Sequence, residues 1–210
     1  MAHEAMLRLF RISHNRASYC GPLPAIFPGN RAPVVRQAHD GEREQGLMSW
    51  GFVLPQAGKA PRRVTNMRDD TALSSPFWRD SFETRCCLAP ATSFCEPNED
   101  VKPATWHWFA LKGDEPRALF AFPGVWRRHK GPLKKNGDPV ELDVFAFMTT
   151  TPNSLVAAIN HERMPVLLTT DAQFSTWSSG TPQQAIALSR EYPSDAMHIV
   201  REGFDKADLM

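Results

Sequence analysis

Long hydrophobic runs are missing from these 210 residues. No stretch approaches about 18 consecutive apolar positions, which excludes a membrane-spanning helix. Residues 1–10 lack the apolar core and small-residue cleavage site of a secretory signal, so a cytoplasmic protein is expected. Cysteine is sparse, at Cys20, Cys86, Cys87 and Cys95. No Cys-x-x-Cys pair occurs, and an adjacent pair would be awkward in a disulfide framework, so reduced thiols are expected. An excess of charge is also missing. The formal net charge is +1, so no global field advertises a nucleic-acid binder and any such site must be local. His3, His14, His39, His107, His129, His161 and His198 show no paired ligand spacing, so no metal is expected. No cofactor is expected either. Internal repeats and low-complexity tracts are absent.

What is present is an ordinary globular composition, 42% hydrophobic and 22% charged, in a length that suits one core. A single domain over residues 1–210 is expected, as a monomer. Residues 2–12 place Met6, Leu7, Leu9 and Phe10 at helical spacing. Residues 21–33, with four prolines and two glycines, must be irregular. Strand patterns follow at 32–37, 46–54, 86–96, 105–111, 118–126, 143–150 and 166–169, with a basic loop read at 127–140. Residues 152–159 carry a helix signal, and 171–178 read as a helix capped by Thr170 and stopped near Gly180. The sum is an α+β domain with a mostly antiparallel sheet or barrel and short flanking helices.

Arginine gathers in short clusters, Arg62 with Arg63 and Arg127 with Arg128, His129 and Lys130. Such clusters suit phosphate contacts, although each alone reads as a solvated loop. Three segments place ionisable groups beside apolar runs: Thr65-Asn66-Met67-Arg68, Phe94-Cys95-Glu96-Pro97 and Ile159-Asn160-His161-Glu162-Arg163-Met164-Pro165. Together they supply a polarising amide, an anion clamp and two groups able to transfer protons.

In order and spacing these segments resemble the SOS response-associated peptidase (SRAP) family. Trp50-Gly51 with Pro55 is similar to the family's Trp-Gly-x-x-Pro stretch, and Asn66-Met67-Arg68 followed by Asp70 to its Asn-x-Arg-x-Glu motif. Residues 85–94, RCCLAPATSF, resemble the strand that leads to the family's catalytic glutamate, here Glu96. His161-Glu162-Arg163-Met164-Pro165 is similar to its His-x-Arg-Met-Pro motif. Four such strings in register carry far more weight than any one.

The resemblance implies a protein that senses abasic sites in single-stranded DNA and removes its own initiator methionine. A cysteine at the mature amino terminus attacks the ring-opened sugar aldehyde: the α-amine forms a Schiff base and the thiol closes a thiazolidine. By the same resemblance Glu96 moves protons, His161 handles the sugar, Asn66 positions the terminus, Arg68 and Arg163 hold phosphates, and Trp50 contacts DNA. An α-amine suits the role, because its reference pKa of about 7.7 to 8.0 leaves some neutral nucleophile at physiological pH.

This sequence departs from the pattern where Ala2, not cysteine, follows Met1. Cys20 is a poor substitute, since only a terminal cysteine carries amine and thiol on adjacent carbons. The expectation is a native start about ten codons upstream, with Met-Cys leading into the first helix. Two other classes compete, a relative that binds single-stranded DNA without crosslinking and a thiol hydrolase pairing an internal cysteine with His161. The latter requires a thiol of lowered pKa.

Overall fold

The computed structural model describes residues 3–17, 23–113 and 116–208. Cys20, Met1 and Ala2 lie outside them. A short helix α1 (His3–Leu9) turns at Arg11, which has a positive φ of 48°, into strand β1 (Ile12–Asn15). Strands β2 (Arg31–Gln37) and β3 (Arg43–Trp50) form a hairpin. The run read as one strand over 46–54 breaks at Gly51, whose φ of +106° suits glycine. Beyond it β4 (Phe52–Leu54) pairs with β5 (Arg62–Val64), and β6 (Asn66–Arg68) follows. After helix α2 (Arg79–Thr84) come β7 (Cys86–Ala91), β8 (Phe94–Asn98), β9 (Thr105–Leu111), β10 (Phe120–Pro132) and β11 (Pro139–Thr150). The chain continues through α3 (Ser154–Ala157), β12 (Met164–Pro165), α4 (Asp171–Ser179), α5 (Pro182–Ile186) and β13 (Met197–Gly203).

The main sheet runs β1-β3-β2-β7-β10-β11-β12, and it curls until β11 meets β3 in parallel at Val144 to Ser49 and Phe145 to Trp50. That contact closes a barrel of β3, β2, β7, β10 and β11. A second sheet, β13-β9-β8, is antiparallel throughout. Closure explains the nearly continuous apolar strands, because both faces are covered. Val35, Leu88, Val144, Ala146 and Met148 turn one way, toward α1, α2 and α4. Val34, Cys87, Phe145 and Phe147 turn the other way, toward Phe94, Phe109 and Met197 of the second sheet.

Local sequence decides several joints. Gly124 lets β10 approach β11, since a Cβ there would lie 2.6 Å from the Ala146 carbonyl oxygen. Trp177 of α4 donates its indole N–H to the Cys87 and Gly124 carbonyls, fixing the helix over the same place. Helix α4 carries a capping box formed by Thr170 and Gln173, with Gly180 at its C-cap.

Three further readings change. Residues 86–96 are two strands, because the chain turns at Thr92–Ser93 and sends β8 into the second sheet. The basic segment 127–140 is mostly hairpin: Arg128 and Lys130 stand opposite Asp143 and Glu141 and pair with them across the strands at 2.6 and 3.2 Å. Residues 166–169 add a single bridge, Leu168 to Ala121, beside β12. Among the described residues no helix is long and apolar enough to cross a membrane.

Candidate active site

The turn that separates β7 from β8 also positions the site. Glu96 sits in the middle of β8, opposite His107 of β9, and so projects from the second sheet. Asn66 opens β6, which runs parallel to β11 with Asn66 beside Phe147. These two side chains, with Trp50, line one cavity of about 520 Å³, a volume within the usual range of about 300–1,000 Å³ for ligand sites. Its walls are otherwise largely apolar and include Phe94, Trp108, Phe122, Phe145 and Phe147. His3 and Met6 of α1 border it as well. Trp50 stacks on Phe147, and Phe147 on Phe122, at ring separations of 5.2 and 4.7 Å. The Trp50 indole N–H donates to the Thr65 carbonyl, which holds the ring in place.

His161 reaches this cavity through Glu96. Its Nε2 lies 3.1 Å from Glu96 Oε2, and its Nδ1 lies 2.8 Å from the Arg163 carbonyl oxygen. A carbonyl can only accept, so Nδ1 carries a hydrogen. The Nε2 contact then holds one shared proton, on the carboxyl or on the ring. Burial pushes the Glu96 carboxyl up to about 8 from its ordinary 4.5, which keeps that proton on the pair at neutral pH. The turn that aims His161 is made by Asn160 at a positive φ of 57°, with its amide donating to Asp100 at 2.7 Å.

The arginines are placed differently. Arg68, 57% exposed, leaves β6 outward and makes a two-pronged contact with Asp70. Asp70 raises the Arg68 guanidinium and is itself held below the usual carboxylate range. Arg163 is only 20% exposed and turns to Asp69 and to the Thr149 carbonyl. Neither Arg68 nor Arg163 borders the cavity. The basic clusters also divide. Arg63 is held by Ser49, Trp50 and Gly51, and Arg127 lies over the Phe52 and Phe77 rings.

Among the described residues the internal thiols, Cys86, Cys87 and Cys95, are of the unreactive kind. Burial pushes Cys86 and Cys95 up to about 12 and Cys87 well above its ordinary range, the reverse of what a thiol hydrolase needs.

Comparison with known proteins decides the lineage. The model of the SOS response associated peptidase (SRAP) family matches residues 2–202. The chain belongs to the SRAP family. Its curated relatives include the abasic site processing protein YoqW of Bacillus subtilis, 31% identical over 171 residues, spanning 78% of this chain and 72% of that protein. Another, YoaM of the same organism, is 30% identical over 174 residues, spanning 78% and 71%. Among solved structures, a protein from Bordetella bronchiseptica superposes with a TM-score of 0.72 at 20% identity, covering 100% of this chain and 96% of that one. One from Bacteroides thetaiotaomicron gives 0.63 at 21% identity, covering 82% and 75%. These two speak to the fold, which the SRAP chain shares.

Sequence reasoning missed His3 at the cavity wall and Asp69 behind Arg163. His3 had only its place in an amphipathic helix to signal it. Asp69 occupies the unspecified position between Arg68 and Asp70.

Proposed function

We propose that this SRAP protein processes abasic sites in single-stranded DNA, forming a covalent adduct between the sugar aldehyde and a terminal α-amine. The observation that carries the reading is the Glu96–His161 pair at 3.1 Å, whose carboxyl opens on the cavity shared with Asn66. The abasic site processing role of YoqW and YoaM supports it.

The chemistry follows from the pair. An amine adds to the aldehyde to give a carbinolamine, which must lose its hydroxyl as water to become the Schiff base. A carboxyl raised to about 8 is protonated at neutral pH and donates to that leaving hydroxyl. The carboxylate left behind recovers a proton by way of His161, whose Nδ1–H stays on the Arg163 carbonyl throughout. Asn66, which lines the same cavity, orients the amine. Trp50 offers a stacking face for a base, and such stacking contributes roughly 1 to 3 kcal/mol. Arg68 exchanges Asp70 for a phosphate. The same role for Arg163 requires its guanidinium to leave Asp69.

Closure to a thiazolidine needs a thiol that adds to the imine carbon and passes its proton to the nitrogen. Met1 and Ala2 carry an amine without that thiol. A terminal cysteine, exposed once an initiator methionine is removed, would supply that thiol. Helix α1 brings His3 and Met6 to the wall of the cavity that Glu96 lines.

The test incubates abasic single-stranded DNA with the protein as written and with its upstream in-frame codons. Borohydride-dependent trapping of the first and a denaturant-stable adduct of the second are expected. Binding without either adduct would establish a non-crosslinking DNA-binding module instead.

A further inference from the structure

We infer that Asp69 is a positioning residue for the Glu96–His161 pair, acting through Arg163. The inference rests on the proton-transfer role given to that pair above.

The two partners come from parts of the fold that share no strand. Glu96 belongs to the second sheet, while His161 lies in the short segment between α3 and β12 at the edge of the barrel. A contact of 3.1 Å between them therefore depends on how residues 160–163 are anchored. Asn160 is tied to Asp100 at one end. The other end is Arg163, whose guanidinium is held by the Asp69 carboxylate and the Thr149 carbonyl.

Asp69 accepts from three directions: the Arg163 guanidinium at Oδ1, the Thr150 hydroxyl at Oδ2 over 2.6 Å, and the Asp70 backbone N–H at 2.9 Å. Its own backbone N–H donates to the Thr149 carbonyl at 3.1 Å. Arg163 Nη2 donates to that same Thr149 carbonyl at 2.6 Å. The end of β6, the end of β11 and the entry to β12 are thus knotted at Asp69. The knot fixes the Arg163 main chain, and the Arg163 carbonyl is the atom that receives His161 Nδ1–H. Fixing that acceptor selects the Nδ1–H tautomer and points Nε2 at Glu96. A charge-assisted contact to a guanidinium is shorter and stronger than a neutral one, and both side chains are 20% exposed, so solvent competes weakly.

The charged groups around His161 are Glu96 across the sheet interface, Glu162 and Arg163 on its own segment, Asp69 behind Arg163, and Asp100 on Asn160. Removing the Asp69 charge alters the local field as well as the geometry, so a titration shift alone would not separate the two. The tautomer does separate them, because it reports which acceptor Nδ1 faces. Thr150→Val provides a second variant that loosens Asp69 while leaving every charge in place.

The experiment records nitrogen-15 shifts of histidine-labelled protein across pH for the parent chain, Asp69→Asn and Thr150→Val. Circular dichroism checks that each is folded, and borohydride trapping with abasic DNA is run in parallel. The parent should show His161 as the Nδ1–H form. Asp69→Asn should populate the Nε2–H form and lower the rate of borohydride trapping with it. Thr150→Val should shift the tautomer ratio in the same direction by less. A folded Asp69→Asn protein with the parent's tautomer ratio would overturn the inference. If Asp69→Asn does not fold, an unchanged ratio in Thr150→Val overturns it equally. Failure of the parent to trap DNA, with the tautomer still dependent on Asp69, would discard the DNA reading and leave the positioning role standing.

Discussion

Glu96 and His161 meet across 3.1 Å although they are carried by different layers, one on β8 of the second sheet and the other at the barrel edge before β12. The two groups share one proton at that contact. Burial favours the neutral carboxyl, and the Arg163 carbonyl fixes the ring so that Nε2 is available to receive it.

A buried carboxyl of this kind sets a pH dependence of stability. The folded pKa, about 8, lies above the ordinary 4.5, so between these values the native state binds more protons than the unfolded chain. Stability therefore falls as pH rises through that window, with a limiting slope of about 1.4 kcal/mol per pH unit. Glu96→Gln removes the ionisation. Its melting temperature relative to the parent should climb between about pH 5 and pH 8.5, by roughly 2–4 °C for each kcal/mol recovered. A difference that stays flat across this range would show that Glu96 titrates normally.

The same substitution should damage the reaction while it helps the fold. A glutamine cannot transfer a proton to the departing hydroxyl, so the rate of borohydride trapping should drop by about 100-fold or more. DNA affinity should hold, because Glu96 makes no phosphate contact in this reading. Single-turnover trapping at saturating protein measures the first quantity and fluorescence anisotropy the second. A loss of affinity that accounts for the whole effect would move Glu96 from proton transfer to binding.

Much of this was legible in the sequence, and the reasons for the gaps are physical. The apolar strands of the barrel announced themselves through Val, Phe and Leu, because closure buries both faces. Thr170 and Gly180 marked α4 because capping is local. The break at Thr92–Ser93 was hidden, since residues 86–96 remain apolar across the turn while the strand changes sheets. The 127–140 segment read as a loop because its stability lies in cross-strand ion pairs such as Arg128 with Asp143, which only the register reveals. Glu96 and His161 were found by motif, whereas their contact needed coordinates. Asp69 gave no signal, because its partners Thr150 and Arg163 lie 81 and 94 residues away.

Arg68 provides a test of the DNA surface. It is exposed and held by Asp70 alone among the ion pairs it forms, so a phosphate can replace that partner. Arg68→Ala should weaken single-stranded DNA binding with little dependence on sequence and reduce the salt slope by about 0.7. Binding isotherms over a salt series read this directly. An unchanged slope would remove Arg68 from the phosphate-binding surface.

Trp177 tests the joint between helix and barrel. Its indole N–H serves two buried carbonyls, those of Cys87 and Gly124, at 2.9 and 3.0 Å. Trp177→Phe keeps an aromatic ring but loses the donor and some volume, leaving both carbonyls without it. A loss of about 2–4 kcal/mol is expected, visible as a lower denaturant midpoint with an unchanged slope. A cost below about 1 kcal/mol would show that water or a shift of α4 supplies the missing donor.

Three internal cysteines, Cys86, Cys87 and Cys95, can be tested for a part in the reaction by removing them. Cys95 precedes Glu96 and lines the cavity, so proximity alone would make it an attractive nucleophile. Its environment argues the other way. Burial, followed by the charges of Glu96 and Asp208, drives its thiol up to about 12, and at pH 7 that leaves on the order of one molecule in 100,000 as thiolate. Cys86 is similarly placed, with its thiol turned to the Phe82 carbonyl, and Cys87 is fully enclosed. Replacing Cys86, Cys87 and Cys95 together with alanine should therefore leave borohydride trapping of abasic DNA within about twofold of the parent, after correction for any loss of folded protein. Iodoacetamide at neutral pH should modify none of the three in the native state, while unfolding in urea should expose all of them. A rate that collapses in the triple variant, with the melt intact, would bring one of these thiols into the reaction beside the amine, since only an amine forms the imine that borohydride reduces.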